Sequence, residues 1–337
     1  MFKRGLAVAA AAAAVVCGMS MRASAAIYSD GFDTVGDASN YNVYVTAGAS
    51  SPASGDATFG YNYGLAPGSG GLSIPVAPHT TDGSTTGLRV RTDNLDNAAS
   101  AAVVGATSVI TKGLSLPSAY TIQVDVWSNY IGGSSLAVSG SNGSNGTTVG
   151  FGTAGTSNQY IAANDGMIVE AFGDGGGTTD YRLYKGNSHL LPTGTPNYYA
   201  AGNLSTSDHH TDSYYNTFGG ASAPAGQVSF LASQGGTTPT GTTGFAWHTW
   251  TITNDGTTTT WAIDGKTITS MPDSALTTNG SQVSLGVSDT GTGGNTSANG
   301  QLFNAEIFDN LVITPEPASL GLLAMAAIPL FRRRRNA

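Results

Sequence analysis

The sequence predicts an all-β fold, a single β-sandwich that extends over residues 27–314 between two short terminal segments. Apolar and polar residues alternate over short stretches of this middle part, and no stretch keeps the 3.6-residue apolar period of a helix. Clusters of Gly, Asn and Asp separate the alternating stretches, as turns separate strands. The 288 residues suit one large all-β domain or two small ones.

The clearest alternation runs from Tyr120 to Trp127. Ile122, Val124 and Val126 would face one side of this strand, and the polar residues between them would face the other together with Trp127. Six further runs are predicted as strands: Gly87 to Arg91, Met167 to Phe172, Asp180 to Tyr184, Gln227 to Leu231, Gln282 to Val287 and Glu306 to Ile313.

The stretch from Phe245 to Ile268 predicts a β-meander. Trp250 and Trp261 each alternate with an isoleucine two positions further on, which predicts that both tryptophans belong to the core. Two Asx-Gly turn signals, at residues 254–256 and 264–265, separate three short strands.

This meander resembles a hairpin that recurs in concanavalin-A/laminin-G-like jelly rolls, in which Trp-x-x-Trp-x-Ile precedes Trp-x-Ile-Asp-Gly. The stretch from Ser29 to Asp33 resembles the opening strand of that superfamily, and Ile307 to Ile313 resembles its closing strand. The resemblance implies a single jelly-roll β-sandwich in which the first and last strands pair.

Two segments do not fit regular strands. Residues 132–155 are rich in Gly, Ser, Asn and Thr, which predicts a hairpin tip or a mobile loop. Residues 186–226 show little alternation, and loops of this length are uncommon unless they are functional or disordered. Their tyrosines and histidines argue against disorder, so we expect an ordered insertion over one face or edge of the sandwich.

The N-terminus predicts a signal peptide over residues 1–26. Lys3 and Arg4 precede an apolar run, residues 5–16, and a small-residue cleavage site follows. The residues of that cleavage site are Ala23, Ala25 and Ala26. Signal peptidase would remove Cys17, the only cysteine, so the exported protein would contain no disulfide.

Residues 315–337 have the layout of a removable C-terminal sorting signal. Pro315, Glu316 and Pro317 precede an apolar run of 14 residues, whereas a helix needs roughly 20 to cross a bilayer. The end of this run would be held on the cytoplasmic side by four basic residues, Arg332, Arg333, Arg334 and Arg335.

This segment resembles the PEP-CTERM sorting signal of Gram-negative bacteria that make exopolysaccharide. The resemblance implies that an exosortase, a membrane protease, cuts near the Pro-Glu-Pro motif and releases or transfers the protein to the cell surface or the extracellular space. The protein would contact the membrane only through its C-terminal hydrophobic helix, before processing. A plain tail anchor is the alternative, although such an anchor has no need of the Pro-Glu-Pro motif.

Charged residues make up 10% of the chain, against roughly 25% in typical globular proteins. Residues 27–314 hold six of the 13 basic residues and 20 of the 21 acidic residues, so the formal charge of this part is −14. An acidic body argues against nucleic acid and anionic membrane surfaces as partners. It is compatible with Ca²⁺ and with neutral sugars.

The glutamates argue against catalysis. Jelly-roll glucanases of the superfamily resembled here carry Glu-x-Asp-x-x-Glu on one strand, which aligns two glutamates as acid and nucleophile. This chain has three glutamates, Glu170, Glu306 and Glu316, and none of them begins Glu-x-Asp. A pair formed by Glu170 and Asp125 across neighbouring strands is the remaining alternative. We therefore expect a protein that is not an enzyme.

The sequence contains two groups of residues that could bind a metal ion. His209 and His210 lie between Asp208 and Asp212, but adjacent residues of an extended chain point to opposite sides, which predicts a polar loop rather than a shared ion. Jelly-roll binding modules often hold a structural Ca²⁺ where the terminal strands meet. Its candidate ligands are Asp30, Asp33 and Asp309, unless these carboxylates cap turns instead.

Aromatic side chains on the surface of the sandwich would stack on sugar rings. Six residues are candidates for such contacts: Trp127, Trp247, Tyr198, Tyr199, Tyr214 and Tyr215. The sequence therefore predicts an exported, non-enzymatic surface or matrix protein that binds polysaccharide. A purely structural surface protein and a glycan-active hydrolase or lyase with an unfamiliar site are the alternatives.

Overall fold

A computed structural model of the protein describes residues 25–46, 55–92, 105–131, 145–175, 179–191, 197–202, 204–276, 278–289 and 302–316. These residues form two antiparallel β-sheets, which confirms the prediction of an all-β sandwich. The predicted signal segment up to residue 24, and residues 317–337 of the predicted sorting segment, lie outside the described residues. Among the helices that the structure describes, none has the length and apolar character needed to cross a membrane.

The first sheet contains eight strands. They are β1 (Tyr28–Asp30), β3 (Asp56–Asn62), β4 (Thr86–Arg91), β6 (Tyr120–Asn129), β11 (Trp247–Asn254), β12 (Thr258–Ile263), β13 (Lys266–Pro272) and β15 (Ala305–Pro315). Their order across the sheet is β13-β12-β11-β6-β15-β4-β3, and β1 also pairs with β15.

The second sheet contains seven strands. They are β2 (Tyr41–Thr46), β5 (Gly105–Thr111), β7 (Asn145–Thr153), β8 (Met167–Phe172), β9 (Tyr181–Lys185), β10 (Ser188–His189) and β14 (Gln282–Asp289). Their order is β10-β9-β8-β7-β14-β5-β2. The chain passes repeatedly from one sheet to the other, so residues distant in sequence meet in both.

One short α-helix and five 3₁₀ turns accompany the sheets. The helix is α1 (Ala225–Phe230), and the 3₁₀ turns are Val35–Asn40, Pro67–Ser69, Ser213–Tyr215, Ala232–Gln234 and Asp273–Ala275. The count covers only the ranges given above.

The main core lies between the two sheets, because one cluster of buried apolar side chains draws on both. Ile122, Val124 and Val126 of β6 belong to this cluster, as their alternation predicts. Trp250 and Trp261 are each 1% exposed, and their ring centroids lie 5.1 Å apart. The prediction that both tryptophans are core residues is confirmed.

A second apolar cluster covers the outer face of the eight-stranded sheet. Trp127 lies on the face of β6 opposite Val126, and it packs there with Tyr63, Leu72 and Ile74 from the connection between β3 and β4. This connection, residues 63–85, therefore buries a sheet face that the sequence predicted to be open to solvent.

The terminal strands pair, as the superfamily resemblance implied. Tyr28 of β1 lies opposite Ile313 of β15. β15 extends to Pro315, and the backbone N–H of Glu316 donates to the carbonyl oxygen of Ala119 at 3.1 Å. The Pro-Glu-Pro motif thus begins while the chain is still attached to the sheet.

One strand prediction and one loop prediction are wrong. Residues 227–231 lie mostly in α1, because Pro224 starts a helical turn and the buried Gln227 amide donates to the carbonyl oxygen of Leu72 at 2.8 Å. Five residues are too few to distinguish a period of 2 from a helical period. Of the segment predicted as a hairpin tip or mobile loop, residues 132–144 lie outside the described residues. The rest contains the central strand β7, whose glycines and threonines suit close packing against β8 and β14.

Candidate functional site

A polar group lies at the centre of the outer face of the eight-stranded sheet. Asp125 of β6 lies directly opposite Asp309 of β15 in the strand register. Cβ atoms of opposite residues on neighbouring antiparallel strands are about 5 Å apart, so the two carboxylates share one small region. Both side chains are buried, with 0% and 2% exposure.

Asp125 orients three side chains from different elements. Its carboxylate accepts hydrogen bonds from the backbone N–H of His79 at 3.1 Å, from Thr249 Oγ1 at 3.0 Å and from Asn310 Nδ2 at 3.0 Å. His79 Nδ1 lies 2.8 Å from Asp125 Oδ1. Because carboxylate oxygens accept hydrogen bonds, this contact assigns a proton to Nδ1 and directs Nε2 away from Asp125.

His79 is the exposed member of this group, and Thr249 and Asn310 are partly exposed. The side chain of His79 is 46% exposed, whereas Asp125 lies completely beneath it. A ligand on this face would therefore meet the imidazole of His79 and would not meet the carboxylate.

Asp309 is held beside Asp125 by its own hydrogen bonds. Tyr63 OH donates to Asp309 Oδ2 at 2.9 Å, and the backbone N–H of Asn310 donates to Oδ1 at 2.7 Å. Desolvation raises the pKa of Asp309 to about 7, although the bond from Tyr63 opposes that rise. Asn310 adopts a left-handed φ of 53° at an irregularity in the pairing of β15, which turns its amide towards Asp125.

Trp247 lies on the same face, two residues before Thr249 on β11, and is half-buried. Its indole N–H donates to the carbonyl oxygen of Pro75 at 2.7 Å, and its ring lies against Tyr63 at a centroid distance of 5.4 Å. We call His79, Asp125, Thr249, Asn310 and Trp247 the outer-face cluster.

The six predicted sugar contacts are divided by burial. Trp127, Tyr199 and Tyr215 are 4%, 4% and 0% exposed, so these rings cannot stack on a sugar in this structure. Their positions follow from packing: Tyr215 stacks on Tyr181 at 4.1 Å, and Tyr199 OH accepts from the backbone N–H of Leu183. The remaining candidates are partly exposed, namely Trp247, Tyr198 and Tyr214.

The candidate calcium ligands have separate partners. Asp30 accepts from the backbone N–H of Phe32 at 2.7 Å, Asp33 accepts from Thr86 Oγ1 at 2.7 Å, and Asp309 belongs beside the outer-face cluster. In the described part of the chain these three carboxylates do not form a set of ligand atoms within 4.8 Å of one another. Calcium binding stays a prediction.

The backbone at His209 and His210 is turned rather than extended, so the two side chains do not point to opposite sides. The N–H of His209 donates to the carbonyl oxygen of Thr206, and the N–H of Asp212 donates to that of His209. The two imidazole rings stack at a centroid distance of 4.6 Å. One nitrogen of each imidazole ring and one carboxylate oxygen of Asp180 could bind an ion together. These three atoms lie within 4.8 Å of one another.

Glu170 and Asp125 cannot form a pair, because they lie on different sheets. Glu170 belongs to β8 of the seven-stranded sheet, where it is buried 3.7 Å from Arg182, and desolvation raises its pKa to about 7. Glu306 is buried between the sheets and accepts hydrogen bonds from Ser128 and Thr147. Neither glutamate reaches the outer-face cluster through a contact among the described residues.

Sequence reasoning missed His79 and Asn310. His79 lies in the long connection between β3 and β4, where no alternation indicates which way a side chain points. Asn310 appears within a predicted strand, and only the pairing irregularity turns it towards Asp125. The one sequence feature that pointed to this site was Asp125, a carboxylate on the outward side of a predicted strand.

Comparison with known proteins returns structures only. No protein-family profile matches the chain, and no curated protein does. An endo-1,3-β-glucanase from Streptomyces sioyaensis shares 13% identity at a TM-score of 0.40, covering 86% of this chain and 95% of the other. A galectin-like protein of unknown function from Bacillus subtilis shares 8% identity at 0.43, covering 87% and 97%.

A third similar structure is the carbohydrate recognition domain of Emp46p, with 10% identity and a TM-score of 0.40, covering 86% of this chain and 97% of the other. Similarity at these identities concerns the fold and transfers no activity. The expectation that the chain is not an enzyme is nevertheless contradicted, since glycan-cleaving enzymes such as the glucanase are among the similar structures. The missing Glu-x-Asp-x-x-Glu motif excludes one arrangement of catalytic residues and does not exclude catalysis.

Proposed function

We propose that this chain is an exported surface or matrix protein whose β-sandwich binds polysaccharide through the outer-face cluster. One observation carries the proposal: the buried carboxylate of Asp125 orients His79, Thr249 and Asn310 on the same face as a half-buried tryptophan. Binding sites commonly combine an apolar surface with a few polar groups held in defined directions.

The chemistry of this face suits a sugar ring. Sugar hydroxyls need directed donors and acceptors, and an amide and an imidazole in fixed orientations provide both. The apolar C–H face of the ring needs an aromatic surface, which Trp247 supplies while its N–H is satisfied by Pro75. The formal charge of −14 on residues 27–314 favours a neutral glycan over an acidic one.

Export and processing complete the proposal. The basic, apolar and small-residue pattern of residues 1–26 supports secretion, and the Pro-Glu-Pro motif with its apolar run and Arg332–Arg335 supports cleavage by an exosortase. The motif begins at the last residue of β15, so cleavage there would leave the paired terminal strands intact.

The test is a polysaccharide array probed with the purified full-length protein and with three variants. Trp247→Ala and His79→Ala are each expected to weaken binding about tenfold or more, as typical loss of an anchoring contact does. Tyr44→Ala, which changes a partly exposed tyrosine on β2 of the seven-stranded sheet, is the matched control and should bind as the unchanged protein does. Silence from folded protein would leave the purely structural coat protein as the better hypothesis.

A glycan-active enzyme is the second candidate, and the His79–Asp125 pair favours it. A carboxylate that fixes the Nδ1–H tautomer leaves Nε2 free to accept a proton, which is how orienting carboxylates serve histidine bases. Incubation with each bound polysaccharide, followed by assay of new chain ends, tests this candidate. Release of chain ends that His79→Ala abolishes would support an enzyme, and binding without release would support recognition alone.

A further inference from the structure

A second cluster of chemistry-bearing side chains lies beside β9, on the other sheet from the outer-face cluster. It comprises Asp180, His209 and His210, which we call the histidine cluster. We propose that the histidine cluster binds one divalent transition-metal ion of the Zn²⁺ class.

The geometry of the cluster is set by hydrogen bonds that backbone N–H groups donate. The N–H groups of Asp180 and Tyr181 both donate to the carbonyl oxygen of Asp208 at 2.8 Å. In return, the N–H of His210 donates to Asp180 Oδ2 at 2.8 Å. These three bonds hold the turn that carries the histidines against the start of β9, so the ligand atoms are brought together before any ion arrives.

One carboxylate oxygen of Asp180 lacks a hydrogen-bond partner among the described residues. Its side chain is 0% exposed, and its Oδ1 accepts no hydrogen bond from any described residue. A buried carboxylate oxygen without a partner is costly, and such groups call for an explanation. A cation bound at Oδ1 supplies the missing partner and neutralises the buried charge.

The surrounding negative charge also suits a cation. Asp174 and Asp208 are 4% and 1% exposed, and both add negative charge near the histidine cluster. Gly175 has a left-handed φ of 65°, and a Cβ there would lie 3.3 Å from Cε1 of His210. The same Cβ would lie 2.8 Å from Thr242 Cγ2, so the glycine allows this loop to pack closely against the imidazole.

The donor set selects the class of metal. Two imidazole nitrogens and one carboxylate suit Zn²⁺ and related transition metals, whereas Ca²⁺ prefers sites made of oxygen ligands alone. Three protein ligands leave the fourth tetrahedral position to a water molecule. Nδ1 of His210 lies 2.7 Å from Asp180 Oδ2, and Nδ1 of His209 accepts from the backbone N–H of Thr211 at 3.1 Å. An ion must therefore displace these hydrogen bonds or bind through Nε2 of each ring.

The test is calorimetric titration of Zn²⁺ into the purified full-length protein, prepared without a polyhistidine tag. We expect one ion per chain, and absorption bands of bound Co²⁺ that report nitrogen and oxygen ligands. His209→Gln and His210→Gln should each weaken Zn²⁺ binding by about tenfold or more. His248→Gln, which changes a histidine on β11 of the other sheet, should bind Zn²⁺ as the unchanged protein does.

Competition with excess Ca²⁺ should leave Zn²⁺ bound, which separates this site from the carboxylates near the terminal strands. Asp180→Asn removes the third ligand, and its thermal unfolding shows whether the variant is folded. If that variant does not fold, the two glutamine variants still decide the question, because their histidines are partly exposed. Absence of Zn²⁺ uptake by the unchanged protein, or equal uptake by both glutamine variants, overturns the proposal.

Discussion

Nδ1 of His79 lies 2.8 Å from Oδ1 of Asp125, and this contact ties the connection between β3 and β4 to the central strand of the eight-stranded sheet. The contact has a structural role as well as the proposed binding role. It closes residues 63–85 over a sheet face whose centre would otherwise expose the carboxylate of Asp125 and the ring of Trp127.

Asp125→Asn is expected to lower the free energy of unfolding by about 2–3 kcal/mol, because charge-assisted hydrogen bonds are lost and a buried amide replaces the acceptor of His79. Urea denaturation measures the change. Gln123→Ala, on the same face of β6, is the control and should change stability by no more than about 0.5 kcal/mol. Equal effects of the two variants would contradict the role of Asp125.

Trp250→Ala is expected to cost about 3–5 kcal/mol, because the lost side chain leaves a cavity against Trp261 in the main core. Trp247→Ala should cost only about 1–2 kcal/mol, since its ring is half-buried and contacts solvent. Denaturation midpoints of the two variants test this order. A reversed order would show that the outer face contributes more to stability than the sheet-to-sheet core does.

The buried carboxyl group of Glu306 should make the folded protein less stable at alkaline pH. Burial raises its pKa from 4.5 to about 8, so the folded state binds the proton more tightly than the unfolded state. Its stabilising contribution is complete below about pH 4.5 and is lost as the pH rises through about 8.

Glu306→Gln keeps the polar contact with Ser128 and Thr147 without a titrating group. Above pH 8 the variant should be more stable than the unchanged protein, by on the order of 3 kcal/mol. Thermal unfolding across a pH series measures the difference. A difference that stays constant with pH would rule out titration of Glu306 as the cause.

Calcium is predicted to stabilise the region where the terminal strands meet. Saturating Ca²⁺ should raise Tm by about 5 °C relative to EDTA, the effect of a ligand that binds only the folded state. Asp33→Ala should abolish the shift, whereas Asp37→Ala, at a neighbouring acidic residue, should preserve it. An unchanged Tm in Ca²⁺ and EDTA would show that Asp30, Asp33 and Asp309 only accept hydrogen bonds within the protein.

Processing at the C-terminus is testable by intact mass measurement in a bacterium that contains an exosortase. We expect the exported protein to end near residues 315–317 and Glu316→Ala to retain the tail in the membrane fraction. Thr121→Ala is the matched control, because Thr121 Oγ1 donates to the carboxylate of Glu316 without belonging to the motif. If neither variant were cleaved, the contact of Glu316 with the sheet, rather than the Pro-Glu-Pro motif, would be required for processing.

Much of the fold could be predicted because strand faces are a local property. The alternation from Tyr120 to Trp127 places every second residue on one side, and the observed core follows it. The meander from β11 to β13 was predictable for the same reason, since each turn carries its own Asx-Gly signal. The error at residues 227–231 arose where the pattern was shorter than one and a half helical turns.

The sites could not be predicted in the same way, because they depend on contacts between distant residues. His79 and Asp125 are 46 positions apart, and Asp180 and His210 are 30 apart. The turn around residues 206–212 converts two histidines that an extended chain would separate into neighbours at 4.6 Å. No spacing in the sequence encodes that turn.

By itself, the sequence determined the all-β class and the inward faces of the strands, because alternation is a property of consecutive residues. Export and C-terminal sorting are predictions from consecutive residues in the same way. The tertiary structure alone decided that residues 63–85 cover the outer face, that Asp125 lies beneath His79, and that Asp180 meets the two histidines. The physical reason is that alternation fixes the side of a sheet on which a residue lies, whereas strand order and loop path decide which distant residues share that side.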